Sequence, residues 1–174
     1  MREAVETVRP LADARRVALE VETGGLSPVV SGDRTRLVQV FWNLLNNGVK
    51  FSREGGRVHV RFESANGAAR ISVEDEGEGI APEFLPHVFE RFRQADMGTT
   101  RQHGGLGIGL ALVKSFVEAH GGTVAASSRG EQRGSVFTVT LPALSAASSS
   151  ARASVESEAE RAQPHSAEPL RVLL

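Results

Sequence analysis

The chain has 174 residues, 40% hydrophobic and 24% charged, the proportions of an ordinary globular domain with enough length for a sizeable core. Its net charge of -1 gives no electrostatic handle for nucleic acid or an anionic membrane, so neither is expected as a partner. With no cysteine, disulfide frameworks, thiolate zinc sites and cysteine nucleophiles are excluded, which fits a reducing compartment.

In chain order, Met1 to Ala14 read as a short, polar helical lead-in, with Pro10 interrupting any longer helix. Val17 to Val21 alternates as a strand does, and Val29-Val30 adds a second, shorter one after the Gly24-Gly25 and Pro28 turn. Arg34 to Phe51 is an amphipathic helix. Leu37, Val40, Phe41, Leu44 and Leu45 recur at its period, and Asp33 stands where an N-cap belongs. Arg57 to Glu63 is a half-buried strand, turned by Asn66-Gly67 into its partner, Ala69 to Val73. The long stretch from Asp75 to Gly105 is punctuated by glycine and polar at its centre, with only Pro82 to Phe89 helical in character. A connection of that length in a compact domain usually has a task, often as a lid. Gly107 to His120 is a second amphipathic helix closed by Gly121-Gly122, and Thr123 to Ser127 and Ser135 to Leu141 are the last strands of the unit. Beyond Pro142 a Ser/Ala/Glu-rich segment reads as a disordered linker, and Leu170 to Leu174 turns apolar again, like the first strand of a further domain. No apolar run approaches the length of a membrane span.

Four short stretches carry chemistry. On the first long helix Asn43 and Asn47 stand at i and i+4, with Lys50 a turn further on close to the same side. Two amides and an ammonium suit a polyanion with a hard divalent cation, since an amide oxygen suits Mg²⁺ and an ammonium suits phosphate. A wet face bonded to neighbouring loops would use the same residues. Asp75-Glu-Gly77-Glu-Gly79-Ile80 follows a strand directly. A carboxylate there can accept from an exocyclic amine such as adenine N6, with the glycines admitting a flat base, and a plain acidic turn is the alternative. Gly104-Gly105-Leu106-Gly107-Ile108-Gly109-Leu110 opens the last helix, where free N–H groups and the helix dipole favour phosphate. It matches neither a P-loop nor a dinucleotide fingerprint, and a glycine hinge is its other reading. Phe89 to Gln94 lies within the lid, with aromatics to anchor it and arginines able to reach phosphates.

Taken in order, NLLNNGVKF, DEGEGI, FERFRQ and GGLGIGLALVK resemble the N, G1, F and G2 boxes of the ATP-binding domain of sensor histidine kinases, and GSVFTVTLP resembles its closing strand. RQADMGTTRQHGG is similar to the lid of hybrid-type members. The resemblance spans about Ala14 to Leu141. It implies an α+β, two-layer α/β sandwich of the Bergerat ATP-binding type. A mixed, mostly antiparallel sheet would carry helices on one face beside a mobile ATP lid.

Position by position, the resemblance implies that Asn47 coordinates Mg²⁺ while Asn43 and Lys50 contact phosphates and Phe51 packs near the nucleotide. Asp75 would hold the adenine amino group, with Gly77, Gly79 and Ile80 shaping that pocket. Gly105, Leu106, Gly107, Ile108, Gly109 and Leu110 would form the phosphate-facing end of the lid. Arg91 and Arg101, with Arg93 and Gln94, are candidate lid contacts. Gly48 stands where the family commonly has alanine, and Leu106 where threonine is common. Hydrolases of the wider superfamily, such as gyrase and the heat-shock chaperone, place a water-activating glutamate where this chain has Asn43. An asparagine is no general base, so the site looks built to hold ATP for transfer rather than hydrolysis.

The family's acceptor histidine finds no counterpart in this sequence. His59 lies in a strand, His87 and His103 in the lid region, His120 at a helix end and His165 in the linker. The expected division is a lead-in from a dimerisation and acceptor segment over residues 1–14, an ATP-binding domain over 15–142 and a linker over 143–169. Residues 170–174 would begin a receiver domain. ATP and Mg²⁺ are the implied cofactors. A histidine phosphoacceptor domain and the receiver domain of a response regulator are the implied partners, in the cytoplasm, whether or not the parent protein is membrane-anchored. The rival reading is an ATP-dependent switch of the anti-sigma serine kinase type, or a non-catalytic nucleotide sensor.

Overall fold

The computed structural model of the chain describes residues 1–24, 29–93, 106–144 and 171–173. The elements in order are α1 (Arg2–Ala14), β1 (Ala18–Glu22), β2 (Val29–Ser31), α2 (Arg34–Phe51), β3 (Arg57–Ala65), β4 (Ala68–Asp75), α3 (Gly109–Ala119), β5 (Thr123–Ser128), β6 (Ser135–Pro142) and β7 (Arg171–Leu173). Five strands form one sheet in the order β1-β3-β4-β6-β5, and β2 pairs with β7 separately. Within the larger sheet β1 runs parallel to β3, and every other neighbouring pair is antiparallel. The three helices share one hydrophobic core with this sheet, so the architecture is the mixed two-layer sandwich expected.

Period-two alternation decides what faces the helices. Val58, Val60 and Phe62 of β3 lie opposite Asp75, Val73 and Ile71 of β4, which in turn lie opposite Ser135, Phe137 and Val139 of β6. All nine are buried. Asp75 therefore ends a row that is otherwise mostly apolar. The helices meet this row with Leu37, Val40, Phe41, Leu44, Leu45 and Val49 of α2 and with Val113 and Val117 of α3.

α2 matches its predicted span from first residue to last. Its N-cap works as expected, with the Asp33 carboxylate accepting from the Arg36 N–H at 3.1 Å. Other expectations need correction. Pro10 does not break the lead-in helix: α1 runs through it and buries Ala4, Val5, Val8 and Ala12. The hydrogen bond and steric cost of an interior proline are offset by that packed face, which a reading of polarity underrated. Pro82 to Phe89 holds only a 3₁₀ turn at Leu85–His87, because Pro86 cannot supply the N–H that a continuing α-helix would need. α3 begins at Gly109, two residues late, since Gly107 sits at φ +66°, outside helical backbone. At the far end, Ala143 bridges Val30 and Leu144 N–H donates to the Val29 carbonyl at 2.8 Å, so ordered pairing continues past Pro142. The backbone of 171–173 pairs antiparallel with β2, Arg171 opposite Ser31. Most of the expected linker, and residues 94–105 of the expected lid, lie outside the described residues.

Candidate functional site

Asn43, Asn47 and Lys50 all lie half-buried on α2, and Phe51 closes the helix, partly exposed. α2 carries no aspartate or glutamate anywhere along its length. Burial, then the nearby Arg15 charge, holds the Lys50 ammonium below its ordinary pKa range, and the ammonium lies 4.9 Å from the centre of the Phe51 ring. The start of α3 comes close to Asn43. A side chain at Gly109 would place its Cβ 3.0 Å from Asn43 Oδ1, so the glycine leaves room directly beside that amide.

The acidic turn meets α2 at its C-terminal end. Ser52 and Gly77 form a β-bridge, and Glu78 N–H donates to the Phe51 carbonyl at 3.2 Å. Gly77 has no space for a side chain, because a Cβ would run into that same carbonyl and lie 2.8 Å from Asp75 Oδ1. Asp75 is 6% exposed. Its Oδ1 accepts from Gly77 N–H at 2.9 Å, and its Oδ2 accepts from the Ser135 hydroxyl at 2.5 Å. Burial pushes the carboxyl pKa above its usual range, and the Ser135 and Gly77 hydrogen bonds only partly offset this. The Ser135 backbone N–H also bonds the carboxylate, and of its roughly four lone-pair sites one is left to accept from an amine. Gly48 lies alongside: a Cβ there would be 3.2 Å from both Val58 methyls and 3.9 Å from the Asp75 Cβ. The residue that weakens the helix in isolation thus lets α2 sit close over the ends of β3 and β4.

Gly79 has φ +72° and backs onto the Gly130 carbonyl, while Ile80 N–H donates to Ser128 Oγ at 3.0 Å. Leu106 is 77% exposed, and Ile108 and Leu110 are half-buried at the start of α3. Phe92 within the lid stretch meets the residues that follow it, its N–H donating to the Gly107 carbonyl at 2.9 Å. Arg91 is exposed, and Arg93 donates to Glu90 at 2.9 Å on the surface, where hydrogen bonds from His87 and Arg93 hold the Glu90 carboxyl below its ordinary pKa range. Gln94, Arg101 and Gly105 lie outside the described residues.

The sequence reading missed the support beneath Asp75. Ser135 is the most direct part. Its position opposite Asp75 is a matter of register between strands 60 residues apart in sequence. Ser128 is another, accepting from Ile80 and donating to the Gly134 carbonyl at 2.7 Å. Gly134 is the third: its φ is +70°, its N–H donates to the Gly77 carbonyl at 3.1 Å, and a Cβ would run into the Asp75 carbonyl. Gly134→Ala should therefore cost about 1–3 kcal/mol in backbone strain and displacement. Thermal denaturation should show a melting point lowered by several degrees, and an unchanged one would refute the tight fit. Of these, Gly134 and Ser135 stood in the sequence only as the opening of the closing-strand stretch GSVFTVTLP, with no role attached.

Residues 32–145 match the family described as Histidine kinase-, DNA gyrase B-, and HSP90-like ATPase, and the chain belongs to that family. It is 35% identical over 177 residues to hybrid signal transduction histidine kinase D of Dictyostelium discoideum, an alignment covering 83% of this chain and 11% of that protein. It resembles the crystal structure of full-length ShkA in complex with AMPPNP at a TM-score of 0.72 and 31% identity, over 83% of this chain and 29% of that one. It also resembles histidine kinase ThkA in complex with the response regulator protein TrrA, at a TM-score of 0.67 and 25% identity, over 82% and 39% of the two chains. The chain thus spans only a small part of the length of these three relatives. No helix among the described residues is long and apolar enough to cross a membrane.

Proposed function

We propose that this chain is the ATP-binding catalytic part of a two-component histidine kinase of hybrid type. It would pass the γ-phosphoryl group of ATP to a histidine on a dimerisation helix, from which a receiver domain takes it. The observation that carries this reading is the approach of the α3 start to the amide-bearing side of α2. Asn43 lies beside Gly109 at a helix start, and no carboxylate stands anywhere on α2 to activate water. ATP would lie with its adenine toward Asp75 and its phosphates toward Asn43, Asn47, Lys50 and the start of α3. That the ShkA structure holds AMPPNP, and that the ThkA structure holds a response regulator, support the nucleotide and the partner.

Mg²⁺ fits the donor set. Among the described residues no group of three or more histidines or carboxylates could hold a metal by itself, so the ion would come with the phosphates and take the Asn47 amide oxygen as its protein ligand. Bound there, it would neutralise phosphate charge. The chain's own residues bind and orient: Asp75 fixes the base, and Asn43 and Lys50 hold the phosphates. In the transfer, the acceptor imidazole nitrogen forms a bond to the γ-phosphorus as the bond from that phosphorus to the β–γ bridging oxygen breaks, and ADP leaves. Positioning supplies most of the rate, so the partner that presents the histidine in line is required. A cytoplasmic setting, where ATP is available, follows from the same reading.

With labelled ATP the chain alone should neither turn over rapidly nor label itself. Added to a dimeric acceptor helix, it should label a histidine, giving a product lost in acid and kept in alkali. Fast hydrolysis by the chain alone would favour an ATPase. An acid-stable phosphoserine on a partner would favour the anti-sigma type of switch.

A further inference from the structure

We propose that His120 is a positioning residue that clamps the start of α2 to the end of α3, and so holds Asn43 against Gly109 at the nucleotide site. His120 caps α3 and lies 87 residues from the N-cap of α2 in sequence. Its Nδ1 is 2.6 Å from the Phe116 carbonyl oxygen, and its Nε2 is 3.0 Å from Asp33 N. A carbonyl can only accept and a backbone N–H can only donate. One neutral tautomer serves both bonds: Nδ1–H donates to Phe116, and the Nε2 lone pair accepts from Asp33. The imidazole thereby satisfies a backbone N–H at a helix start and ties it to the last turn of the neighbouring helix.

Gly32 shows independently that the ring belongs there. A Cβ at Gly32 would overlap the His120 ring, its distance to Nε2 being 2.6 Å. The glycine just before the α2 N-cap thus makes room for the imidazole. The Arg36 guanidinium, 5.4 Å from the centre of the Phe116 ring, adds a second contact between the same two helix ends. α2 and α3 run antiparallel, so this clamp and the Asn43–Gly109 approach lie along one helix pair, about 15 Å apart by helical rise. Helices are stiff over such a length. Releasing one end lets them tilt or slide, and the Asn43–Gly109 spacing at the other end changes with them. Nearby ionic groups are engaged elsewhere: Asp33 with Arg36 at 3.4 Å, Arg34 with Glu3 at 2.8 Å and Lys114 with Glu118 at 4.0 Å.

The inference rests on the assignment of Asn43 and Gly109 to the nucleotide, so the test measures Mg·AMPPNP affinity of the whole chain well below its melting temperature. His120→Ala should bind about fivefold more weakly, the loss of one hydrogen-bonded tie. His120→Gln, whose amide oxygen can stand in for Nε2, should recover affinity to within about twofold of wild type. Gly32→Ala in the wild-type chain should weaken binding about as much as His120→Ala, because the ring must move. Added to His120→Ala it should cost less than about twofold more, because the space is already free. Wild-type affinity in His120→Ala would overturn the clamp alone, as would additive Gly32 and His120 effects with no rescue by glutamine. Failure of the wild-type chain to bind the analogue would instead overturn the nucleotide assignment beneath it.

Discussion

Asp75→Asn should bind an ATP analogue about tenfold to a hundredfold more weakly than the wild type while folding at least as well at neutral pH. The carboxylate is buried at the end of the β4 row, accepting from Gly77 N–H through one oxygen and from Ser135 through the other. An asparagine keeps both bonds with its amide oxygen toward Gly77 and its NH₂ donating to the Ser135 oxygen. That orientation turns a donor toward the adenine amine, which is itself a donor, and the recognition is lost. A missing polar contact with a mismatched donor is worth about 1–3 kcal/mol.

Stability should move the other way. The folded pKa of Asp75 is raised above its ordinary 3.8, so the folded state holds this proton more tightly than the unfolded chain does. The cost of ionising the buried group is absent below the ordinary value and grows as pH rises through the folded value. At neutral pH, above the ordinary value, the wild type bears such a cost. Asparagine never ionises. The melting-temperature difference between variant and wild type should therefore shift in the variant's favour from acid to neutral pH. Thermal melts across that range check the sign, and binding isotherms at pH 7 check the recognition. Equal affinity in the two proteins would remove Asp75 from the adenine site.

Asn47→Ala should abolish most of the benefit that Mg²⁺ brings to ATP binding. The wild-type chain should bind AMPPNP more tightly with Mg²⁺ than with EDTA, because the ion links the phosphates to the amide oxygen. With alanine, that link is gone and the ion serves only the phosphates. The ratio of the two affinities should fall by about tenfold, the loss of one charge-assisted contact. Isothermal titration with and without the metal measures the ratio directly. An unchanged ratio would move the metal ligand elsewhere.

Helix α2 shows why so much was legible in advance. Its apolar period, its N-cap and its polar positions are all local, written within 19 residues from Asp33 to Phe51, and the structure keeps every one. The Asn66-Gly67 hairpin and the strands on either side of it were legible for the same reason, since a tight turn sets the register of what it joins. Misjudged elements were those where local and tertiary preferences disagree. Pro10 argues locally against helix, but the buried face of α1 prevails. Pro82 to Phe89 has helical composition, but its two prolines leave only a single 3₁₀ turn.

What the sequence determined by itself was the chemistry on offer: amides and an ammonium along one helix side, a carboxylate at a strand end, glycines at a helix start. Each motif depends on residues a few positions apart, and such spacing survives in any fold that keeps the element. What only the tertiary structure decided was which groups meet. Ser135 reaches Asp75 through strand register, Gly134 yields to the Asp75 carbonyl, Gly109 opens space beside Asn43, and His120 finds the Gly32–Asp33 peptide. These contacts join residues 59 to 88 positions apart. No periodicity reaches across such separations, because their geometry is set by how the sheet and helices pack and not by the chain between them.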